Sequence, residues 1–363
     1  MKHNWEYKKL GEVCDIYQPK TISTTMLVEN GKYPVYGVNG IIGKYDKYNH
    51  QEKELLMTCR GATCGSINVS QPYSWINGNA MVIHPLHDNI VFDFLKYQLM
   101  TLNLSCIVTG AAQPQITRQS LTPILIPLPP LPVQEMIVEE LDRLSLILEK
   151  KKQQIKELDS LAQSIFYDMF GDPIENEKGW EVKKLGEVGE IVTGSTPSTT
   201  DNTNWNGKIN WVTPAELSNQ LFYGATKRRL TEKGAKGLTL MPVGTVLLSS
   251  RAPIGKIAIT TQPMCCNQGF KNIICGKHLN NIFLYYYLLT TLDNIKTLGC
   301  GATFKEVSKK AIYLYETILP PLDLQQSFSK KIEAIERQKE LIKQSVKEVQ
   351  LLFDAKMDYY FGD

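Results

Sequence analysis

The chain of 363 residues has no run of eighteen apolar residues, which excludes a transmembrane helix. Its opening, MKHNWEYKKL, lacks the apolar core of a secretion signal, so the cytoplasm is the expected compartment. Cysteine is sparse and poorly spaced. The eight residues Cys14, Cys59, Cys64, Cys106, Cys265, Cys266, Cys275 and Cys300 include no C-x-x-C pair. That spacing argues against a disulfide framework or a zinc module and for reduced, mostly buried thiols. Histidine is rarer still, five in all. His84 and His87 form an H-x-x-H pair with no third ligand near in sequence, so no metal site is expected.

Catalytic signatures are missing as well. There is no G-x-x-x-x-G-K-[ST] loop; the nearest approach, APIGKI at residues 252–257, lacks the first glycine spacing and the hydroxyl. The D/N-P-P-Y/F signature of amino methyl transfer is absent, because LPPL at 319–322 lacks the polar first residue that would hold the target amine. Asp172, Glu175, Glu177 and Lys178 form a charged cluster, which reads as a solvated hinge rather than a nuclease centre. No catalytic residue and no cofactor is expected on this chain.

What the chain has is a repeat. WEYKKLGEVCDI at 5–16 returns as WEVKKLGEVGEI at 180–191, and IPLPPLPVQE at 126–135 is answered by ILPPLDLQQ at 318–326. The openings are offset by 175 and the proline runs by 191, so the second half carries about sixteen extra residues. Arg60 in CRGATCGSINV already matches Arg251 in SRAPIGKIAI at the larger offset, which puts the extra residues between residue 16 and the stretch around Arg60. A kept scaffold with a rewritten interior makes the rewritten part the expected seat of recognition, because loops on rigid supports carry binding.

With 43% hydrophobic and 21% charged residues, the chain can build two or three ordinary domains. The net charge of +3 is unevenly spread. Residues 1–132 hold eleven Lys/Arg against nine Asp/Glu, whereas 180–318 hold sixteen against nine. The segments 133–172 and 322–363 are acidic, at −4 and −1, and the linker 173–179 adds −1. Basic globular parts joined to acidic helices fit a polyanion bound by the former and another protein bound by the latter. Ordinary charge scatter is the alternative.

Heptad arithmetic predicts two long helices of roughly 35 to 38 residues, about 55 Å each at 1.5 Å per residue. The first seam runs through Ile137, Leu141, Leu144, Leu148, Ile155 and Leu158, interrupted by Lys151. The second runs through Phe328, Ile332, Ile335, Ile342, Val346 and Val349. Two seams in register imply helices packed on each other as a coiled coil, acting as a spacer or serving dimerisation. Prolines 129, 130, 132, 320 and 321 mark the entries, and Gly171 and Gly362 the stops. Between repeat start and proline run, short β-branched stretches such as 33–45, 55–69, 80–86, 208–214, 244–250 and 256–261 read as strands. Apolar runs at 92–103 and 282–298 read as helices, which makes the globular parts mixed α+β.

The W-E-x-K-K-L-G-E-V opening, the GSTPS element at 194–198, the SRAPIG turn at 250–255, GATFKEV at 301–307, and ILPPL followed by a long helix occur in that order across essentially the whole chain. In this combination the sequence resembles the DNA specificity subunit of Type I restriction-modification systems. The resemblance implies an α+β fold with a pseudo-twofold internal repeat: two tandem target recognition domains, at 1–132 and 180–321, each reading one half of a split DNA site. It implies two conserved helices, 133–172 and 322–363, that pack as an antiparallel coiled coil, set the spacer and dock methyltransferase subunits, two in number. Restriction subunits would join through the complex, and S-adenosylmethionine, ATP and magnesium would belong to the partners. The first half departs from the pattern, with IYQPKTIST for IVTGSTPST and GAAQPQITRQS for GATFKEVSKK, so its half-site is expected to differ in sequence.

Base edges are read by Arg for guanine and by Gln or Asn for adenine, while Lys, Ser, Thr and backbone N–H groups hold phosphates. Arg60 and Arg251, in glycine-bearing turns after a strand, and Gln113, Gln115 and Thr303, in the matched loops, are the candidate base readers. Lys20, Thr21, Ser195, Thr196, Lys256, Lys305 and the run Lys227, Arg228, Arg229 suit phosphate. The bland alternative for each is a solvated surface side chain. Tyr285, Tyr286 and Tyr287 could stack on bases, but on an apolar helix they are expected in the core. Two rival functions remain: a protein-interaction scaffold whose basic domains bind acidic partners, and the specificity part of a fused restriction enzyme.

Overall fold

The computed structural model describes residues 5–37, 39–110, 114–218, 220–251, 253–299 and 306–362. The chain packs as two compact units, residues 1–152 with 344–363, and residues 153–343. Each unit therefore combines one globular repeat with the start of the long helix that follows it and the end of the other long helix.

In the first unit, Cys14–Tyr17, Ala80–Pro85, Leu55–Thr58 and Ile67–Val69 form a four-stranded antiparallel sheet in that order. Two strands of a three-stranded sheet lie in the segment expected to vary: Tyr33–Gly37 pairs antiparallel with Gly40–Tyr45, and parallel with Trp75–Ile76 beyond that segment. The helix Phe92–Thr101 is buried on two faces, as its apolar spacing dictates. Leu95 and Leu99, four apart, pack with Leu55, Met57, Met81 and Ile83 of the sheet. Phe94 and Tyr97 pack with Ile137, Leu141, Met357, Tyr360 and Phe361 of the long helices.

The second unit repeats this plan with an enlarged sheet. Its order is Gly189–Val192, Asn272–Cys275, Val246–Leu248, Ile257–Thr260 and Phe222–Tyr223, the last strand being added parallel. Trp205–Val212 pairs antiparallel with Arg228–Leu230 and parallel with Met264–Cys266. The sixteen extra residues thus supply the Phe222–Tyr223 strand and the short helix Glu232–Ala235 around a retained parallel strand pair. The helix Asn281–Thr290 starts on Asn280, whose side-chain oxygen accepts from the Ile282 and Phe283 N–H groups. Seven successive residues from Ile282 onward, the three tyrosines among them, are buried. Such a helix, apolar all round, belongs inside the protein.

The two long helices are Leu131–Phe170 and Leu322–Phe361, 40 residues each. The first begins ahead of Pro132, because a proline in the first turn lacks only an N–H that has no helical partner anyway. In each unit the start of one helix meets the end of the other, which makes the pairing antiparallel. Glu140 accepts from the Tyr360 hydroxyl at 2.6 Å and pairs with Lys356 at 2.7 Å. In the second unit Ala162, Phe166 and Phe170 pack with Phe328, Ile332 and Ile335. Ile137, Leu141, Leu144 and Leu148 of the first seam are buried, and Ile155 and Leu158 half-buried. On the second helix Phe328, Ile332 and Ile335 are buried, while Ile342, Val346 and Val349 are half-buried. Lys339, at a seam position, is buried between Asp159 at 2.6 Å and Glu336 at 2.5 Å. Burial disfavours its charge, but those carboxylates prevail and hold its pKa above the ordinary lysine value.

The sequence echoes mark the joints of this frame. Gln134 donates to the Pro129 and Asn89 carbonyls and accepts from the Val91 N–H. Gln325, 191 residues on, donates to the Pro320 and His278 carbonyls and accepts from the Asn280 N–H. Both glutamines are fully buried, so each ties a helix entry to its own domain with three satisfied hydrogen bonds. Trp180 donates its indole N–H to the Phe170 carbonyl, closing the first helix where Gly171 takes φ +75°. Trp5 packs in the cluster that holds Phe361.

Candidate nucleic-acid interface

In the second unit a series of loops meets at one end of the main sheet. Gly194 follows the strand Gly189–Val192, and a Cβ there would fall 1.9 Å from the Cys266 carbonyl oxygen, so only glycine permits the approach. The Ser195 N–H donates to that same carbonyl at 2.9 Å. The Thr196 hydroxyl donates to Gln268 at 2.8 Å. From the 267–269 loop the Gly269 carbonyl accepts from the Ser250 N–H, which leads directly into the arginine turn.

Arg251 there bridges to Glu306 in the antiparallel sense. Its Nε donates to Glu306 Oε2 at 2.9 Å, and the Lys271 ammonium meets Glu306 Oε1 and the Ser250 hydroxyl, each at 3.1 Å. Burial works against the Glu306 carboxylate, yet hydrogen bonds from Lys271 and Arg251 hold its pKa below the ordinary glutamate value. Lys256 closes the same turn: its carbonyl accepts from the Ser249 N–H, and its own N–H donates to the Ser249 hydroxyl. Beside it, the Arg228 guanidinium lies 3.5 Å from the Trp205 ring and 5.3 Å from Trp211, whose indole donates to the Ser195 carbonyl. Arg229 stands opposite Asn210, and the Lys227 N–H donates to Glu216. Ser195, Thr196, Lys227, Arg228, Arg229 and Arg251 are exposed, and Lys256 is half-buried.

The first unit lays out its loops the same way with other residues. Gln18 donates to the Gly78 carbonyl and to the Cys59 sulfur, both at 3.1 Å, and the Gly78 N–H returns to the Thr21 hydroxyl at 3.0 Å. Asn77 accepts from the Ile22 N–H. The Cys59 N–H reaches the Asn79 carbonyl, and Arg60 bridges to Gln115, again antiparallel. Lys20, Thr21 and Arg60 are exposed, and Gln115 is half-buried. Gln113, Thr303 and Lys305 lie outside the described residues.

Residues that sequence reasoning passed over hold these loops in place: Gln18, Asn77, Gln268, Lys271 and Glu306. One signal was available for Lys271, since it stands inside the apolar stretch FKNIIC, where a lysine must be buried and therefore paired. His84, of the H-x-x-H pair where no metal site was expected, bonds Glu54 through Nδ1 at 2.8 Å. Among the described residues no three His, Cys, Asp or Glu side chains gather as metal ligands. Cys14, Cys59, Cys265 and Cys266 are buried free thiols, Cys64 and Cys275 are half-buried, Cys106 is exposed, and Cys300 lies outside the described residues. No helix is long and apolar enough among the described residues to cross a membrane.

The family model described as Type I restriction modification DNA specificity domain matches the chain twice, at residues 2–158 and 177–351, once per repeat. The Type I restriction enzyme MjaIX specificity subunit of Methanocaldococcus jannaschii is 39% identical over 158 residues, 42% of this chain and 37% of that protein. The Type I restriction enzyme HindI specificity subunit of Haemophilus influenzae is 27% identical over 163 residues, 44% of this chain and 36% of that protein. These matches therefore span little more than a third of the relatives' own length. A crystal structure of a Type I restriction-modification S subunit from M. genitalium shares the fold, with a TM-score of 0.63 at 16% identity, over 99% of this chain and 96% of that one. With the family model matched across both repeats, the chain belongs to the Type I restriction-modification DNA specificity family.

Proposed function

We propose that this chain is a noncatalytic, sequence-specific subunit that binds double-stranded DNA for a Type I restriction-modification complex. Each globular repeat reads one half of a bipartite site. The long helices set the spacing and dock two methyltransferase subunits, restriction subunits join through the complex, and the assembly works in the cytoplasm. S-adenosylmethionine, ATP and magnesium are then used by the partner subunits. The observation that carries the reading is one loop layout that sets an exposed arginine against a different half-buried neighbour in each unit, Arg251 beside Glu306 in one and Arg60 beside Gln115 in the other. A duplicated frame with unlike tips suits an asymmetric site, because phosphate contacts fix register while base-edge contacts carry sequence.

Footprinting tests it directly. The full chain, assembled with its methyltransferase partner, is expected to protect a bipartite and asymmetric sequence, two short protected blocks flanking an unspecified spacer. Continuous or sequence-blind protection overturns the reading, and failure to bind any nucleic acid at moderate salt favours a protein-interaction scaffold instead.

A further inference from the structure

An arginine reads guanine when two of its N–H groups are presented together to O6 and N7. A free arginine side chain samples many rotamers, and ordering it on binding costs side-chain entropy. In the second unit much of that ordering is already built. Arg251 Nε is committed to Glu306 Oε2 at 2.9 Å, and the other carboxylate oxygen is held by Lys271 at 3.1 Å. Lys271 is fixed in turn on the Ser250 hydroxyl, next to Arg251 in the chain. Side-chain exposure rises outward along this row, 8% at Lys271, 35% at Glu306 and 49% at Arg251. The row carries a net charge of +1, and with Nε engaged by Glu306 the two terminal guanidinium nitrogens are the edge that remains to match guanine.

The first unit shows what the row looks like without its charges. Gln115 stands where Glu306 does, 191 residues earlier, and bridges to Arg60 as Glu306 does to Arg251. Met81 pairs with Met57, and Lys271 bonds through its N–H to Leu248, the counterpart of Met57, so Met81 is the register equivalent of Lys271. Lysine and glutamate are thus replaced together by methionine and glutamine. Among the described residues, no carboxylate holds Arg60.

We infer that Glu306 and Lys271 are positioning residues that fix the Arg251 guanidinium through Nε and leave its two terminal nitrogens as a guanine-reading fork for one half-site only. The inference rests on the proposed function. Its test uses the full chain and a library of randomised duplex DNA, with bound molecules sequenced. The unaltered chain is expected to select two half-sites, one of them with guanine at a position that Arg251→Ala releases.

Glu306→Gln alone strands a buried lysine and risks the fold, so the decisive variant is the neutral double change Lys271→Met with Glu306→Gln. It reproduces the charge state of the first unit. It is expected to lower the preference for guanine at that one position about tenfold, with every base of the other half-site unchanged. A purely structural role would weaken every position of that half-site together, or none. A selected site whose guanine is indifferent to the double variant overturns the positioning role while leaving the proposed function standing. If the unaltered chain selects no bipartite sequence, both fall.

Discussion

The two units agree in their frames and differ at their tips. Leu10 N–H bonds the Ile124 carbonyl as Leu185 N–H bonds that of Tyr315, and Gln134 and Gln325 make matching sets of three hydrogen bonds. At the loop end, Lys271, Glu306 and Arg251 face Met81, Gln115 and Arg60 as counterparts. The difference teaches that buried charges change as sets. A buried lysine is tolerable only with a carboxylate against it, so losing one partner requires losing the other.

The sharpest way to break that comparison is to move half a set across. Met81→Lys places an ammonium in a fully buried position of the first unit without a facing carboxylate. It is expected to cost about 4 kcal/mol at neutral pH, and adding Gln115→Glu is expected to recover a clear part of the loss. Urea denaturation of the two variants measures this. Equal stability of the single and double variants would mean that position 115 does not face position 81, and the equivalence of the two rows would be wrong.

A somewhat smaller effect tests the shared frame. Gln134→Ala and Gln325→Ala each remove three hydrogen bonds made by a buried side chain, and each is expected to cost about 3 kcal/mol. The two losses should match within about 0.5 kcal/mol, the scatter normal for distant independent sites. A large effect at one position and none at the other would show that the frames are less equivalent than their hydrogen bonds.

These cases also separate what was legible in the sequence from what was not. The repeats, the strand runs and the helix stops could be read because periodicity, proline and glycine act locally; Gly171 ends its helix where a left-handed residue is needed. Pro132 shifted the helix start by only two residues from the expected position. The candidate site could be proposed by residue type at Arg60, Arg251 and Gln115. It was not legible by partner, because Lys271 and Glu306 are 35 residues apart and meet only through sheet register. His84 was set aside for want of a third ligand near in sequence; its partner Glu54 lies 30 residues away, just ahead of the neighbouring strand Leu55–Thr58.

The smallest expected effect concerns acid. Glu306 in the second unit and Glu54 in the first share an ordinary value of 4.5 but are shifted in opposite directions. For Glu306, burial is outweighed by Lys271 and Arg251, so its folded pKa is lowered. Its contribution to stability is complete above pH 4.5 and is lost as pH falls through the folded value. For Glu54, burial dominates over the hydrogen bond from His84 and raises the folded pKa. The folded state then holds the proton more tightly, so this contribution is present below pH 4.5 and disappears as pH rises through the folded value. Urea denaturation between roughly pH 3 and 6 should therefore show opposite changes of slope on substitution. The neutral pair Lys271→Met with Glu306→Gln flattens a rise of stability with pH, and Glu54→Gln flattens a fall. Slopes of the same sign would mean that the two carboxylates share one environment, and the contrast between an acid whose partners outweigh burial and one whose burial outweighs its partner would be lost.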